Sequence, residues 1–368
     1  MIRAAETDRT ESGLIDFSDM PDLGLSEIQR FLDRQQGMEG FSFTGLMEDL
    51  LKGNLESAGA RCLSAFRTGV MEEWSDSVGF LAQAAALGVL GAVFAQASSV
   101  FPSSRISESV FFITYLLAFA CLTASFFSSV AAAASVVERV LEFMKVVLPA
   151  FFLAVASAGG SLSGGALYGS VIGAAGIAEG LCGRVLLPLI KVYVLLVLAG
   201  NLSREAVISR MTKGLESGIR WSLKTMTGLF FGLQMIQTMI LPYADSVKRA
   251  GIHKLVSAIP GIGSGADALI QVTVGAGVLV KNTIGGAAVV VMVILMAAPA
   301  AKLLLFSVLY RAAAALMEPV CDKRIAACAE GIGKAHQLLL EVVTGVILLF
   351  ALSIGLICTA TNAVYFGG

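Results

Sequence analysis

The chain is short of charge, histidine and catalytic motifs. Of its 368 residues only 14% are charged, against about 25% in a soluble domain. Two histidines occur, His253 and His336. Both read as residues of polar loops, and neither belongs to an H-E-x-x-H or other ligand spacing, so no metal is expected. No G-x-x-x-x-G-K-[ST] loop occurs, which excludes a P-loop nucleotidase. GIGSG at 261–265 lacks the strand–turn–helix setting that dinucleotide binding requires. Serines 161, 163 and 264 lie in Gly-rich stretches, but no histidine lies inside an apolar run to serve as their base, so an intramembrane serine protease is not expected. No Lys/Arg cluster offers a nucleic-acid footprint. The six cysteines, Cys62, Cys121, Cys182, Cys321, Cys328 and Cys358, form no C-x-x-C pair and read as small packing residues. The opening MIRAAETDRTESG has no apolar h-region and does not read as a signal peptide. Either this region stays cytoplasmic, or a signal was removed before this numbering begins. The expectation is a protein without catalytic residues or cofactors.

Apolar sequence is abundant. Hydrophobic residues make up 56% of the chain, and mean hydropathy is +0.81. Charge-free runs cover 77–104, 109–137, 146–178, 225–244, 282–301 and 342–368, and a further run, 185–203, is interrupted only by Lys191. Twenty helical residues span about 30 Å, the hydrocarbon thickness of a bilayer. The fold class is therefore all-α, a polytopic transmembrane bundle of six or seven spans. The choice depends on 77–104, whose small residues make it weakly hydrophobic. Segment 268–280, with thirteen charge-free residues, is expected to lie in the interface or re-enter. Lys/Arg counts place 136–145, 202–222 and 311–339 on the cytoplasmic side, although loop 245–281 also carries lysines and an arginine.

Residues 1–75 hold 14 acids and 7 bases, a net charge of −7, and the rest of the chain carries +6. Two domains follow: an acidic N-terminal segment, 1–76, with short amphipathic helices, and a transmembrane domain, 77–368. Ser26, Thr44 and Asn54 are the expected helix caps, and Gly53 the expected stop.

Three features stand out within the membrane domain. Gly165, Gly169 and Gly173 recur at four-residue spacing, followed by Gly176 and Gly180. Such glycines form a flat stripe along a helix that another backbone can approach closely. It serves either packing within the chain or assembly with another subunit. Lys191 lies deep in LLPLIKVYVLLVLAG and either snorkels to the nearer surface or faces a lumen. SAIPGIGSGADAL at 257–269 combines Pro260 with Gly261, Gly263 and Gly265 and reads as a break before a helix.

AIPGIG (258–263), LVKNTIG (279–285) and APAAKLLLFSVLYRAAAALMEPVCD (298–322), in this order, resemble the stage III sporulation protein AE family of endospore-forming bacteria. The motif positions are Pro260, Gly261, Gly263, Lys281, Asn282, Gly285, Pro319 and Asp322. The resemblance implies a non-enzymatic, multi-pass subunit of a secretion-like channel complex in the mother-cell membrane around the forespore. Its implied partners are membrane lipids, the other stage III A subunits with their ATPase and ring-forming proteins, further copies of itself, and a forespore membrane protein across the intermembrane space. The alternative is a stand-alone secondary transporter, which predicts paired broken helices in two halves. Only the Pro260 break is visible.

Overall fold

The computed structural model describes residues 24–35, 37–71, 104–158, 160–203, 206–257, 263–318 and 323–366. Among them there is no strand. Three short helices come first: α1 (Leu25–Leu32), α2 (Phe43–Leu51) and α3 (55–71). Then follow α4 (Ser104–Ser157), α5 (Ser161–Leu181), a π-helical turn (Cys182–Leu186), α6 (Leu187–Ser203), α7 (Ala206–Ser257), α8 (Gly263–Met317) and α9 (Lys323–Phe366). The charge-free run 77–104 lies almost wholly outside the described residues, as do Pro260, Gly261, Pro319 and Asp322.

The short helices begin where side chains or glycine geometry can satisfy free backbone groups. Ser42, in extended conformation, accepts a hydrogen bond from the Gly45 N–H at 3.0 Å and starts α2. The expected cap, Thr44, is already inside that helix. α1 starts after Gly24, whose φ of 74° is left-handed, and not at Ser26. Asn54 caps α3 as expected, accepting from the Ser57 N–H at 3.3 Å. Gly53, at φ 69°, turns the chain after α2.

Several charge-free runs fuse into continuous helices. Run 109–137 and the start of run 146–178 both belong to α4, joined through ERVLEFMK at 138–145. There Val140, Leu141, Phe143 and Met144 are buried, while Glu138 and Glu142 point outward. The rest of run 146–178 forms α5, which starts at Ser161. α5, the π-helical turn and α6 then run on without interruption from 161 to 203. A π turn inserts one residue into the helical register and shifts the faces on either side of it. Segment 268–280 is part of unbroken α8, so it neither re-enters nor stands alone.

Four helices among the described residues are long and apolar enough to cross a membrane: Tyr115–Ser157, Gly164–Asn201, Val274–Met317 and Lys323–Ala360. The 43 residues of the first span about 65 Å. At ordinary tilts of about 20° such a helix extends well beyond a 30 Å core. α8 and α9 form the central pair; α4, α6 and α7 also pack on α9. α1 packs on α4, where Phe31 and Phe143 rings lie 5.6 Å apart, and α2 packs on α8. The buried residues Ile28, Phe31, Leu32, Phe43, Leu46 and Met47 thus join one core with the long helices.

Candidate functional site

A buried lysine lies where α8 meets α9. Lys281 is fully buried. Its Nζ donates to Asn362 Oδ1 at 2.8 Å and to the Cys358 carbonyl at 3.3 Å. Asn282 Nδ2 donates to the same Asn362 oxygen at 3.3 Å. Local periodicity builds the site: Lys281 and Gly285 lie four apart on α8, and Cys358 and Asn362 lie four apart on α9, so each pair shares a helix face.

Gly285 makes the close approach possible. A Cβ at this position would lie 2.9 Å from Cys358 Sγ and 3.0 Å from both Ile354 Cγ2 and Phe151 Cε2. A side chain here would have to displace the side chains of Cys358, Ile354 and Phe151, beside the bonds that hold the Lys281 ammonium. Burial of a cation is costly unless polar groups surround it. Here a carbonyl and an amide oxygen supply that environment. Asn282 Oδ1 is buried with no hydrogen-bond partner among the described residues.

The expected motif residues do not all gather at this point. Lys281, Asn282 and Gly285 do. Gly263 is the first residue of α8, 18 residues earlier, about 27 Å along the helix axis.

The glycine stripe of α5 is unlike Gly285. Gly165, Gly169, Gly173 and Gly176 are exposed, and a Cβ added to any of them would meet nothing within 4 Å. The opposite face carries Leu167, Val171, Ala174, Ala175 and Ala178, all buried, and packs toward α4 and α7. The stripe therefore makes no close contact within the described chain. Lys191 is half-buried, with Nζ 5.6 Å from the centroid of the Phe127 ring of α4. It engages an aromatic face, an arrangement that stabilises a cation.

His336 was expected in a polar loop but is fully buried in α9. Its Nδ1 lies 2.9 Å from the Ile332 carbonyl, which can only accept, so the proton is on Nδ1. Nε2 then accepts from the Ser129 hydroxyl at 3.0 Å. Tyr310 stacks on the imidazole at 5.3 Å, and Phe126 and Phe306 meet its face edge-on. A histidine does therefore lie in the apolar interior, contrary to the expectation, and its hydroxyl partner is Ser129. The aromatic rings close around the Ser129–His336 pair, which locks α4, α8 and α9 together. The signal was present in the sequence: Ile332, Ala335, His336, Leu339 and Val343 recur at helical spacing and are all buried.

A second missed network ties α7, α9 and α8. Arg220 pairs with Glu216 at 3.3 Å and with Glu341 of α9. Gln337 donates to Glu341 at 3.1 Å and accepts from Arg311 of α8. Arg220 and Glu341 lie 121 residues apart, and no local pattern links them.

The family model described as stage III sporulation protein AE matches residues 41–361. A relative named stage III sporulation protein AE, from Bacillus subtilis (strain 168), is 21% identical over 265 residues. That match covers 72% of this chain and 66% of the relative's length. No solved structure matches. The matched stretch takes in α2 to α8, α9 as far as residue 361, and the Lys281–Asn362 contact except its last residue, and the chain belongs to the stage III sporulation protein AE family.

Proposed function

We propose that this chain is a non-enzymatic membrane subunit of a secretion-like channel complex that endospore development requires. The observation that carries the reading is the family match across the helical bundle, residues 41–361. In this reading the chain sits in the mother-cell membrane around the engulfed forespore. It assembles with the other stage III A subunits, including their ATPase and ring-forming proteins, and the complex reaches a forespore membrane protein across the intermembrane space. Two structural features support a role through assembly. The long helices exceed what a bilayer core can hold, which leaves helical surface for other proteins outside it. The α5 glycines Gly165, Gly169, Gly173 and Gly176 offer a flat face that no other part of the described chain covers. A flat glycine face suits close contact with another subunit's helix.

Deletion of the gene in its host, followed by induced sporulation and imaging with a membrane dye, tests this. The expected outcome is normal engulfment followed by forespores that stall or shrink, with vegetative growth unchanged. Spores that mature normally would contradict it.

A further inference from the structure

A groove of about 1000 Å³ runs between α7, α8 and α9. One end is polar, lined by Arg220, Lys224, Arg311, Gln337 and Glu341. The other is apolar, with Phe231, Leu304, Leu348 and Leu352. The sequence order shows that this polarity runs along the helices. From Arg220 to Phe231 on α7, and from Glu341 to Leu352 on α9, is eleven residues, about 16 Å. α8 runs the other way, from Arg311 back to Leu304. Half of a bilayer's hydrocarbon core is about 15 Å. The groove is thus as long as one leaflet is deep, with its charges at one end.

The charges are unequal. Three cations stand against one carboxylate among the lining residues. Arg220 is held by Glu216 and Glu341. Arg311 donates to the neutral Gln337, and among the described residues neither Arg311 nor Lys224 pairs with a carboxylate. Both are exposed. Gly333 of α9 lets α8 come close at Arg311: a Cβ there would lie 2.8 Å from Arg311 Cγ and 3.0 Å from the Ser307 carbonyl. Leu304, Val308, Leu348 and Leu352 remain between 41% and 56% exposed along the apolar stretch.

We propose that this groove binds one anionic phospholipid, its headgroup on Arg311 and Lys224 and an acyl chain along Leu304, Leu348 and Leu352. A partner's apolar helix would fill the apolar half and leave both cations unmatched at the polar end. An anionic lipid satisfies both halves. Lipid binding in this groove does not depend on the assembly role.

The test is native mass spectrometry of the full chain in detergent, with dioleoyl phosphatidylglycerol or dioleoyl phosphatidylcholine added. Two surface cations favour the anionic headgroup by about thirtyfold, so phosphatidylglycerol should be retained preferentially by about that factor. The double variant Lys224→Gln, Arg311→Gln should lose the preference, and a cooperative thermal transition in detergent shows that it is folded, even where loss of the Arg311–Gln337 bond lowers its midpoint. Leu348→Trp, which fills the apolar half, should lower retention of both lipids. Equal retention of the two lipids by the unaltered chain would overturn the proposal, whatever the variants do. So would an unchanged preference in a folded double variant, or a cross-link from Leu348→Cys to another protein in native membranes.

Discussion

The glycines of the α5 stripe and Gly285 of α8 are the same residue type put to opposite uses. At Gly285 a single added carbon would collide with Cys358, Ile354 and Phe151. At Gly165, Gly169, Gly173 and Gly176 an added carbon meets open space. Gly285 is a packing glycine: it lets α8 and α9 approach until Lys281 reaches the Cys358 carbonyl and Asn362. The α5 glycines contribute nothing to packing within the described chain and cost helix stability relative to alanine, about 1 kcal/mol each. Four such residues on one exposed face make sense if the face is used from outside.

The largest effect should come from substituting both kinds of glycine with the same bulky residue. Gly285→Leu overpacks the α8–α9 interface by about 3 kcal/mol, the upper end for such changes. The folded chain should fail to accumulate in membranes, and its thermal unfolding in detergent should fall sharply. Gly169→Leu should insert and unfold within about 1 kcal/mol of the unaltered chain, yet lose co-purification with its partners. If both variants behaved alike, the contrast between the two regions would be false.

Next comes the polar half of the Gly285 contact. Asn362→Ala removes a hydrogen bond to a buried ammonium, a loss of about 1.5–3 kcal/mol. Denaturation in mild detergent should report it. No change would mean that the Lys281–Asn362 contact at 2.8 Å contributes little.

Lys191→Met sharpens the comparison on the α5–α6 side. It removes the cation from the Phe127 ring, worth about 0.5–1 kcal/mol, and should leave partner binding and sporulation intact. Loss of sporulation with an intact fold would instead place Lys191 on a conduit.

The smallest effect lies in the N-terminal helices. Asp49 is held below its ordinary value of 3.8, first by the Ser57 hydrogen bond and then by Arg61, whose Nε lies 2.9 Å away. A depressed carboxylate pKa stabilises the fold above the unfolded value, and that stability is lost as pH falls through the folded value. Hydrogen-exchange protection in 55–71, corrected for the intrinsic pH dependence of exchange, should therefore fall below about pH 3.8, and Asp49→Asn should abolish the step.

Composition carried the fold class, since so apolar a chain with charge-free runs of twenty residues or more has no soluble solution. Helix boundaries were less legible. ERVLEFMK separates two apolar runs and looks like a loop between spans. Charge does not break a helix, however; it only decides which face is buried, and α1 covers that face at Phe143. α4 ends instead at Ser157, and the next helix starts at Ser161, just after Gly160. Ser42, not Thr44, starts α2, because the residue before the first helical one must be extended for its side chain to reach back to a free N–H. At the site, Lys281, Asn282 and Gly285 were legible as a motif. Asn362 was not, because nothing local marks a partner 81 residues away. The exposure of the α5 stripe was equally hidden. Spacing shows that glycines share a face, but not what lies opposite that face.

The most direct test of an outward-facing α5 is cross-linking from Gly169→Cys in membranes of sporulating cells, with Leu167→Cys as the buried control. A cross-link from position 169 to another subunit, identified by mass spectrometry and absent from position 167, is the predicted result. Position 169 that reacts with a small lipid-soluble thiol reagent but links to no protein at any stage of sporulation would contradict the account.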